Sequence, residues 1–370
     1  MPSFIAPDEL HEILATLREN DEPNPSEMQS NFSSTHQHWT KTLDLDEIVP
    51  DRRVAIHVAA DITAPTHAQR GYSTRVYHGG YWKEKATLDF SQLQQRMAGN
   101  GWGNVKFSSQ AFLSILNEQR RDMEAKRDRL KELNCATLLK DGKYFIVSAK
   151  HPSIEIDLGL VEATTEALLN SGSANKADLT TLNANGIVGG RAWDTSTGTI
   201  TTRSPVDDIE QMLEVPHENI SKIYIGKRAL SKLLADPKAD KMINKDFNNL
   251  TMAKLALGPQ SFNKEGLKLV GFVGLDNIPI FVYNTTYQPS NSTTEVSFLP
   301  DTHVIMVPAS KFGLRCQGPI QRADAGYQPM DNFWHSWTED EAGNPFIQGH
   351  SAFTYLHVKP KSIVTWKVVS

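Results

Sequence analysis

Hydrophobic and polar positions along this chain follow two periods, and the change from one to the other divides it into regions. Between Asp276 and Gly318 (DNIPIFVYNTTYQPSNSTTEVSFLPDTHVIMVPASKFGLRCQG) two short apolar runs predict buried, paired strands, Ile278–Tyr283 and His303–Val307. A polar loop and a Leu299-Pro300-Asp301 turn join them. Upstream, Ser204-Pro205 followed by Asp207 and Asp208 sets an N-cap, a first-turn proline and dipole-complementing acids in order, which predicts a helix to about Leu213. KIYIG then reads as a strand and KRALSKLLAD as a helix, so an α+β unit spans roughly residues 194–320.

The longest helical period runs from about Ser108 to Leu133. Phe112, Leu116, Met123, Leu130 and Leu133 form one narrow stripe, and eleven of the fifteen residues from Glu118 to Glu132 are charged. About 25 residues at 1.5 Å rise make a rod of roughly 38 Å. A helix so long with so thin a stripe suits a coiled-coil arm or a spine laid across a thin domain, and no heptad repeat continues it. ATLLKDGKYFIV follows, with the Asp141-Gly142 hairpin signal between apolar segments, which favours a spine packed on a sheet. The tail from Gly349, GHSAFTYLHVKPKSIVTWKVVS, alternates as two strands about Lys359-Pro360-Lys361 that return to that sheet.

The N-terminal third is patterned differently. A short helix is predicted over Pro7–Leu17, followed by a polar, proline-bearing stretch that cannot bury a core. Arg53–Ile62 alternates as a strand, with Val54, Ile56 and Val58 on one face. TAPTHAQRGYSTRVYHGGYWKEKATLDF then mixes polar and aromatic residues around Gly71 and Gly79-Gly80, with almost no aliphatic side chain. A two-stranded ribbon of this text is marginal by itself, so a neighbour is expected to supply its missing surface.

Composition narrows the choices. With 370 residues, 39% of them hydrophobic, the chain can build two or three compact units. It holds no apolar run of membrane-spanning length, and its first residues lack a basic segment followed by an apolar one, which reads as a protein made and used in a cytoplasm. Two cysteines, Cys135 and Cys316, give no disulfide framework and are expected as buried, inert thiols. The net charge of −5 is uneven: residues 1–50 hold ten acids against Arg18 and Lys41, leaving about +3 for the rest. This acidic arm suits a basic neighbour, in cis or in trans, and the remainder is too weakly basic for a sequence-specific nucleic-acid binder.

No catalytic, cofactor or metal site emerges. His36-Gln37-His38 has no carboxylate or cysteine near it to complete a ligand set. Gly186-Ile-Val-Gly-Gly-Arg191 lacks the lysine and hydroxyl ending of a phosphate loop and reads as a connector. No Gly-x-Ser-x-Gly elbow occurs, and Trp334, His335 and Trp337 read as an aromatic cluster that packs a domain edge.

The order of these elements resembles the bacteriophage major capsid protein E family, the lambda-type coat proteins. The likeness is collinear from about Arg52 to the C-terminus. It takes in the polar loop, a short Leu93–Arg96 helix, the charged long helix, IEIDLG, Ala192-Trp193, SPVDDIEQM, KIYIGKRALSKLL, the two apolar strands and the closing SAFTYLHVKPKSIVTWKVV. It implies an α+β, HK-ninety-seven-type capsid fold with an N-terminal arm (1–51) and a strand with an extended loop (52–92). A peripheral domain with the spine helix (93–190, completed by 340–370) and an axial domain (191–339) make up the rest. By the same resemblance the chain self-assembles as hexamers and pentamers into an icosahedral head shell, alongside portal, scaffold or decoration proteins, and touches packaged double-stranded DNA without sequence preference. The expected intersubunit contacts are Trp39 in the arm and Arg70, Tyr72, Arg75, Tyr77, Tyr81, Trp82 and Lys83 in the loop. Deleting 62–90 is expected to leave folded, unassembled subunits. The alternatives are an encapsulin-like compartment shell, which shares the fold, and a cytosolic hydrolase built on His335.

Overall fold

The computed structural model describes residues 27–48, 72–87, 109–148, 151–157, 159–172, 174–184, 187–188, 191–194, 204–216, 218–239, 243–244, 267–273, 277–290, 292–310, 312–338, 345–357, 359 and 362–370. The expected Pro7–Leu17 helix, Arg53–Ile62 strand and Leu93–Arg96 helix lie outside these residues. Two sheets and one long helix organise what is described.

The larger sheet has eight strands, in the order Ile243–Asn244, Leu267–Val273, Ile278–Tyr283, Ile220–Ile225, His303–Pro308, Val364–Lys367, Lys176–Asp178 and Glu162–Ala163. The two apolar runs expected to pair therefore do not touch as neighbours, because Ile220–Ile225 lies between them. It runs parallel to one, with Ile223 opposite Ile280, and antiparallel to the other, with Ile223 opposite Met306. A continuous apolar run reports burial on both faces and says nothing of which strand sits beside it.

Both faces are indeed buried. Ile223, Ile225, Ile280, Val282, Val304, Met306, Val364 and Trp366 enter one core with Leu169, Ile209, Met212, Ala229 and Leu233, from the helices Glu166–Asn170, Pro205–Glu214 and Lys227–Leu234. The alternate residues Tyr224, Phe281, Tyr283, Ile305 and Val307 enter a second core with Cys135, Leu138 and Leu139 of the long helix and Met28 and Phe32 of the arm. Each such side chain, fully buried, contributes about 1.5–3 kcal/mol. The capping at Ser204 is as expected: the Asp207 N–H donates to Ser204 Oγ (3.3 Å) and the Ser204 N–H to Asp207 Oδ2 (3.2 Å).

The spine helix is longer than its periodicity suggests, running 33 residues from Ser109 to Asp141, about 50 Å. The Asp141-Gly142 pair is thus a helix stop instead of a hairpin turn. Gly142 adopts φ 73° and its N–H donates to the Leu138 carbonyl at 2.9 Å. Burial of Cys135, Leu138 and Leu139 against the sheet overrides the hairpin signal, and the hairpin forms one step later, between Lys143–Ser148 and His151–Asp157.

The smaller sheet has five strands built on the long strand Pro345–His357, which pairs with Phe333–Thr338, Gly80–Thr87 and Gly313–Gln317. The arm strand Ser34–Gln37 adds to Gly313–Gln317 in parallel. The spine helix crosses this sheet through Leu116 and Met123, which meet Trp334, Ile347 and Trp82. Its charged text is only partly a solvated face, since Arg120, Arg127, Lys131 and Glu132 are buried while Leu130 of the expected stripe is exposed.

Two further expectations change. Gly79-Gly80 does not turn a self-paired ribbon: Tyr72–His78 pairs with the arm strand Thr42–Ile48, and Gly80–Thr87 belongs to the five-stranded sheet. Deleting 62–90 would remove that sheet strand together with the Trp82 ring, so the deletion is no longer a clean test of assembly. The tail divides as well: Pro345–His357 lies beneath the spine helix, whereas Val364–Lys367 inserts between His303–Pro308 and Lys176–Asp178.

A side chain at position 142 would adopt a left-handed backbone and meet Leu160 Cγ at 2.4 Å. Gly142→Ala is expected to lower unfolding free energy by about 1–3 kcal/mol in urea titrations. An unchanged midpoint would contradict the helix stop.

Candidate assembly surfaces

The arm is fixed to its own subunit by two buried carboxylates. Residues Glu27–Ser30 form a single helical turn whose Met28 and Gln29 N–H groups donate to the spine residue Glu132, at 3.0 Å (Oε1) and 3.2 Å (Oε2). The Tyr283 hydroxyl donates to Glu132 Oε1 at 2.5 Å. Glu27 in turn accepts from Lys222 Nζ (2.8 Å) and the Tyr224 hydroxyl (2.7 Å). One junction therefore joins arm, spine helix and eight-stranded sheet, and Glu27, one of the arm's ten acids, finds a basic partner in cis. Just beyond it, the Phe32 ring packs edge-on to Phe312, Tyr355 and His357. Gly313 lies beneath that ring, where a Cβ would meet Phe32 Cδ1 at 2.6 Å.

A second buried ion pair ties the spine to the smaller sheet. Lys131 Nζ lies 2.8 Å from Asp331 Oδ1 and 5.3 Å from the centroid of the Phe353 ring. Burial lowers the Lys131 pKa and Asp331 opposes that shift. Burial works against charging Asp331, but Lys131, Arg127 and Arg315 together outweigh it and hold the carboxyl below its usual range.

The expected contact residues are dispersed. Trp39 is 68% exposed, and Arg75 and Lys83 are exposed too. Tyr77 is buried in its own subunit's core. Tyr81 reaches His350 Nδ1 through its hydroxyl at 2.8 Å. Trp82 packs edge-to-face on Trp334 (6.3 Å, 76°) over Gly349, where a Cβ would approach both rings to 2.7–2.8 Å. Arg70 and the Tyr72 side chain lie outside the described residues. Val76, 58% exposed on the strand Tyr72–His78, is not among the expected contacts, and period-2 alternation with buried Tyr77 is the signal that marks it.

The motifs weighed for chemistry have structural places. His36 is exposed while His38 is buried with Nδ1 2.7 Å from the Thr40 carbonyl, and among the described residues no group of three or more His, Cys, Asp or Glu side chains is arranged to hold a metal. Arg191 is buried and donates to Asp208 Oδ1 (2.5 Å), which makes it a strut between the connector and the helix Pro205–Glu214. Trp193 Nε1 donates to Asp208 Oδ2 at 2.9 Å. His335 stacks on Trp337, Trp337 on Phe346, and Lys85 Nζ sits 3.6 Å from the Phe346 ring centroid, so the aromatic cluster packs the sheet. Cys135 and Cys316 are buried, and burial pushes both thiols up.

This combination, a long spine helix across a small sheet beside a larger two-faced sheet with a docked N-terminal arm, defines a phage capsid subunit of the HK-ninety-seven type. The fold matches the crystal structure of a prophage capsid protein from E. coli CFT073 with a TM-score of 0.65 at 18% identity, over 97% of this chain and 98% of that one. In sequence the chain is similar to the major capsid protein of Escherichia phage lambda, 22% identical over 367 residues, covering 96% of this chain and 97% of the relative. It is also 23% identical over 297 residues to the P21 prophage-derived major head protein of Escherichia coli O6:H1 (strain CFT073), covering 80% and 78%. The family model for phage major capsid protein E matches residues 9–368, and the chain belongs to that family. Its role is structural and its place is the virion.

Removing the Glu132 carboxylate leaves two backbone N–H groups and a phenol without their acceptor. Glu132→Ala is expected to cost about 3 kcal/mol and to expose the arm to limited proteolysis, with Glu132→Gln milder because one carbonyl acceptor remains. Arm cleavage at the wild-type rate would contradict this.

Acid is expected to weaken the fold through buried histidines. Burial is the main cause that pushes His303 and His350 down to about 4, and the sole one that pushes His357 to about 3. Their folded pKa values lie below the free value near 6.5, so the unfolded chain binds more protons in between. That contribution is complete above about pH 6.5 and is lost as pH falls toward 4. Urea midpoints between pH 7 and 4.5 measure it, and a flat profile would contradict it.

Proposed function

We propose that this chain tiles an icosahedral head shell as hexamers and pentamers of identical subunits, assembled in the host cytoplasm around or ahead of the packaged genome. One observation carries the reading: side chains that a monomer would hide remain outside, among them Trp39 and Val76 on the arm and ribbon. Exposed aromatic and branched residues at the ends of rigid elements are anchors for a neighbour's pocket, and each contact is repeated by symmetry across the shell. Arg75 and Lys83 would add charged bonds around them, and Arg70 and Tyr72 would extend the same surface into the loop. Tyr77, Tyr81 and Trp82 serve it indirectly, by holding the ribbon and the edge of the sheet in place.

Portal, scaffold or decoration proteins are the further partners this reading calls for. Contact with double-stranded DNA would be general, as the overall negative charge favours no strong, sequence-specific grip. The chain performs no catalysis in this account.

Sedimentation velocity separates the outcomes. Val76→Arg and Trp39→Ala are expected to change subunit stability by less than about 0.5 kcal/mol, because both side chains are exposed, while reducing the assembled fraction at least tenfold. Normal assembly of both variants would overturn this assignment of the contact surface.

A further inference from the structure

We propose that His357 is an acid-sensitive latch for the arm, such that its protonation drives Phe32 and the arm strand Ser34–Gln37 off the five-stranded sheet. His357 is 3% exposed, and both ring nitrogens lack a hydrogen-bond partner. Its ring is stacked on Phe312 (5.0 Å, 20°) and covered edge-on by Phe32 (5.3 Å, 73°). A neutral imidazole tolerates this box. An imidazolium does not, because a buried cation without an acceptor costs several kcal/mol, while a stack on one phenyl ring returns about 2 kcal/mol.

Among the described residues, no charge on the surrounding elements is placed to rescue it. Glu27 of the arm is engaged with Lys222 and Tyr224, and Glu132 of the spine with the Met28 and Gln29 N–H groups. On the neighbouring strand, Arg315 acts on Asp331 and the Cys316 thiol is pushed up to about 12, hence neutral. On its own strand the Tyr355 phenol is pushed well up by burial. Lys359, two residues on, bonds to Glu218. Burial is the only cause that shifts His357.

The wall that yields is the arm. Phe312 and Tyr355 belong to the sheet and its approach, whereas Phe32 follows a single helical turn anchored through Glu132 and Glu27 and precedes a four-residue parallel pairing at the sheet edge. Lifting the arm hydrates the imidazole at the loss of only the edge strand of the five-stranded sheet, and leaves the eight-stranded sheet closed. One proton taken up on opening makes the closed-to-open ratio fall about tenfold per pH unit below the free histidine value, or about 100-fold by pH 4.5.

Hydrogen exchange on the purified full chain tests this, comparing arm amides such as those of Phe32 and His38 with sheet amides such as those of Tyr224 and Val304. The expected result is a protection loss of about 100-fold in the arm between pH 7 and 4.5, after correction for intrinsic rates, with the sheet still protected. His357→Phe keeps the aromatic box without a titrating group and should hold the loss below about threefold. Equal loss in the variant would assign the effect to Glu27 and Glu132 instead and overturn the latch, as would a wild-type arm that stays closed. If His357→Phe fails to fold, exchange at the histidine C2 carbon reports the His357 titration in the wild-type chain. A His357 midpoint that differs from the arm-opening midpoint overturns the proposal as well.

Discussion

The Glu132 carboxylate is the point on which the subunit's architecture depends. It is buried on the spine helix and accepts from the arm's first helical turn and from Tyr283 of the eight-stranded sheet, so three elements distant in sequence share one acceptor. A buried charge is costly unless it is fully bonded, and full bonding here requires all three elements to be in place together. The arm's position is therefore a consequence of how the spine meets the sheet. Glu27 makes the reciprocal connection, and with Phe32 seated over Gly313 the segment is held by charge at one end and by aromatic packing at the other.

That junction also explains how a helix so rich in charge can be internal. Arg120, Arg127, Lys131 and Glu132 are buried because each face of the helix meets something different: the smaller sheet along most of its length, the larger sheet near its C-terminal end, and the arm alongside. A spine between three partners needs few aliphatic residues of its own. The ribbon and arm, by contrast, retain outward apolar side chains that no described element of the same chain covers, and it is this leftover surface that a lattice of copies would satisfy.

Much of this was legible in the sequence. The capping at Ser204, the strand Ile220–Ile225, the helix Lys227–Leu234 and the spine itself were visible because their signals are local: a cap, an apolar run, a period. Strand neighbours were not, since an apolar run such as Ile278–Tyr283 carries the same pattern whichever strand lies beside it. Asp141-Gly142 misled for a related reason, as a glycine with positive φ ends a helix or turns a hairpin equally well, and only the burial of Leu138 and Leu139 decides. The contact residues divided along the same line. Trp39 is exposed, as a contact residue must be, whereas Tyr77 and Trp82 pack inward, and composition cannot tell a ring aimed at a neighbour from one aimed into the subunit's own core. The Glu27 and Glu132 junction left no sequence signal, because its bonded partners lie between 103 and 197 residues apart.

The central claim is that these leftover surfaces and the docked arm build a shell from one kind of subunit. An electron cryomicroscopy map of whatever the purified full chain forms tests it most directly. Closed particles are expected in which the strand Ser34–Gln37 lies on its own subunit's five-stranded sheet while Trp39 and Val76 are covered by a neighbouring copy. Particles in which those two side chains face solvent, or a chain that remains monomeric at every concentration, would contradict it.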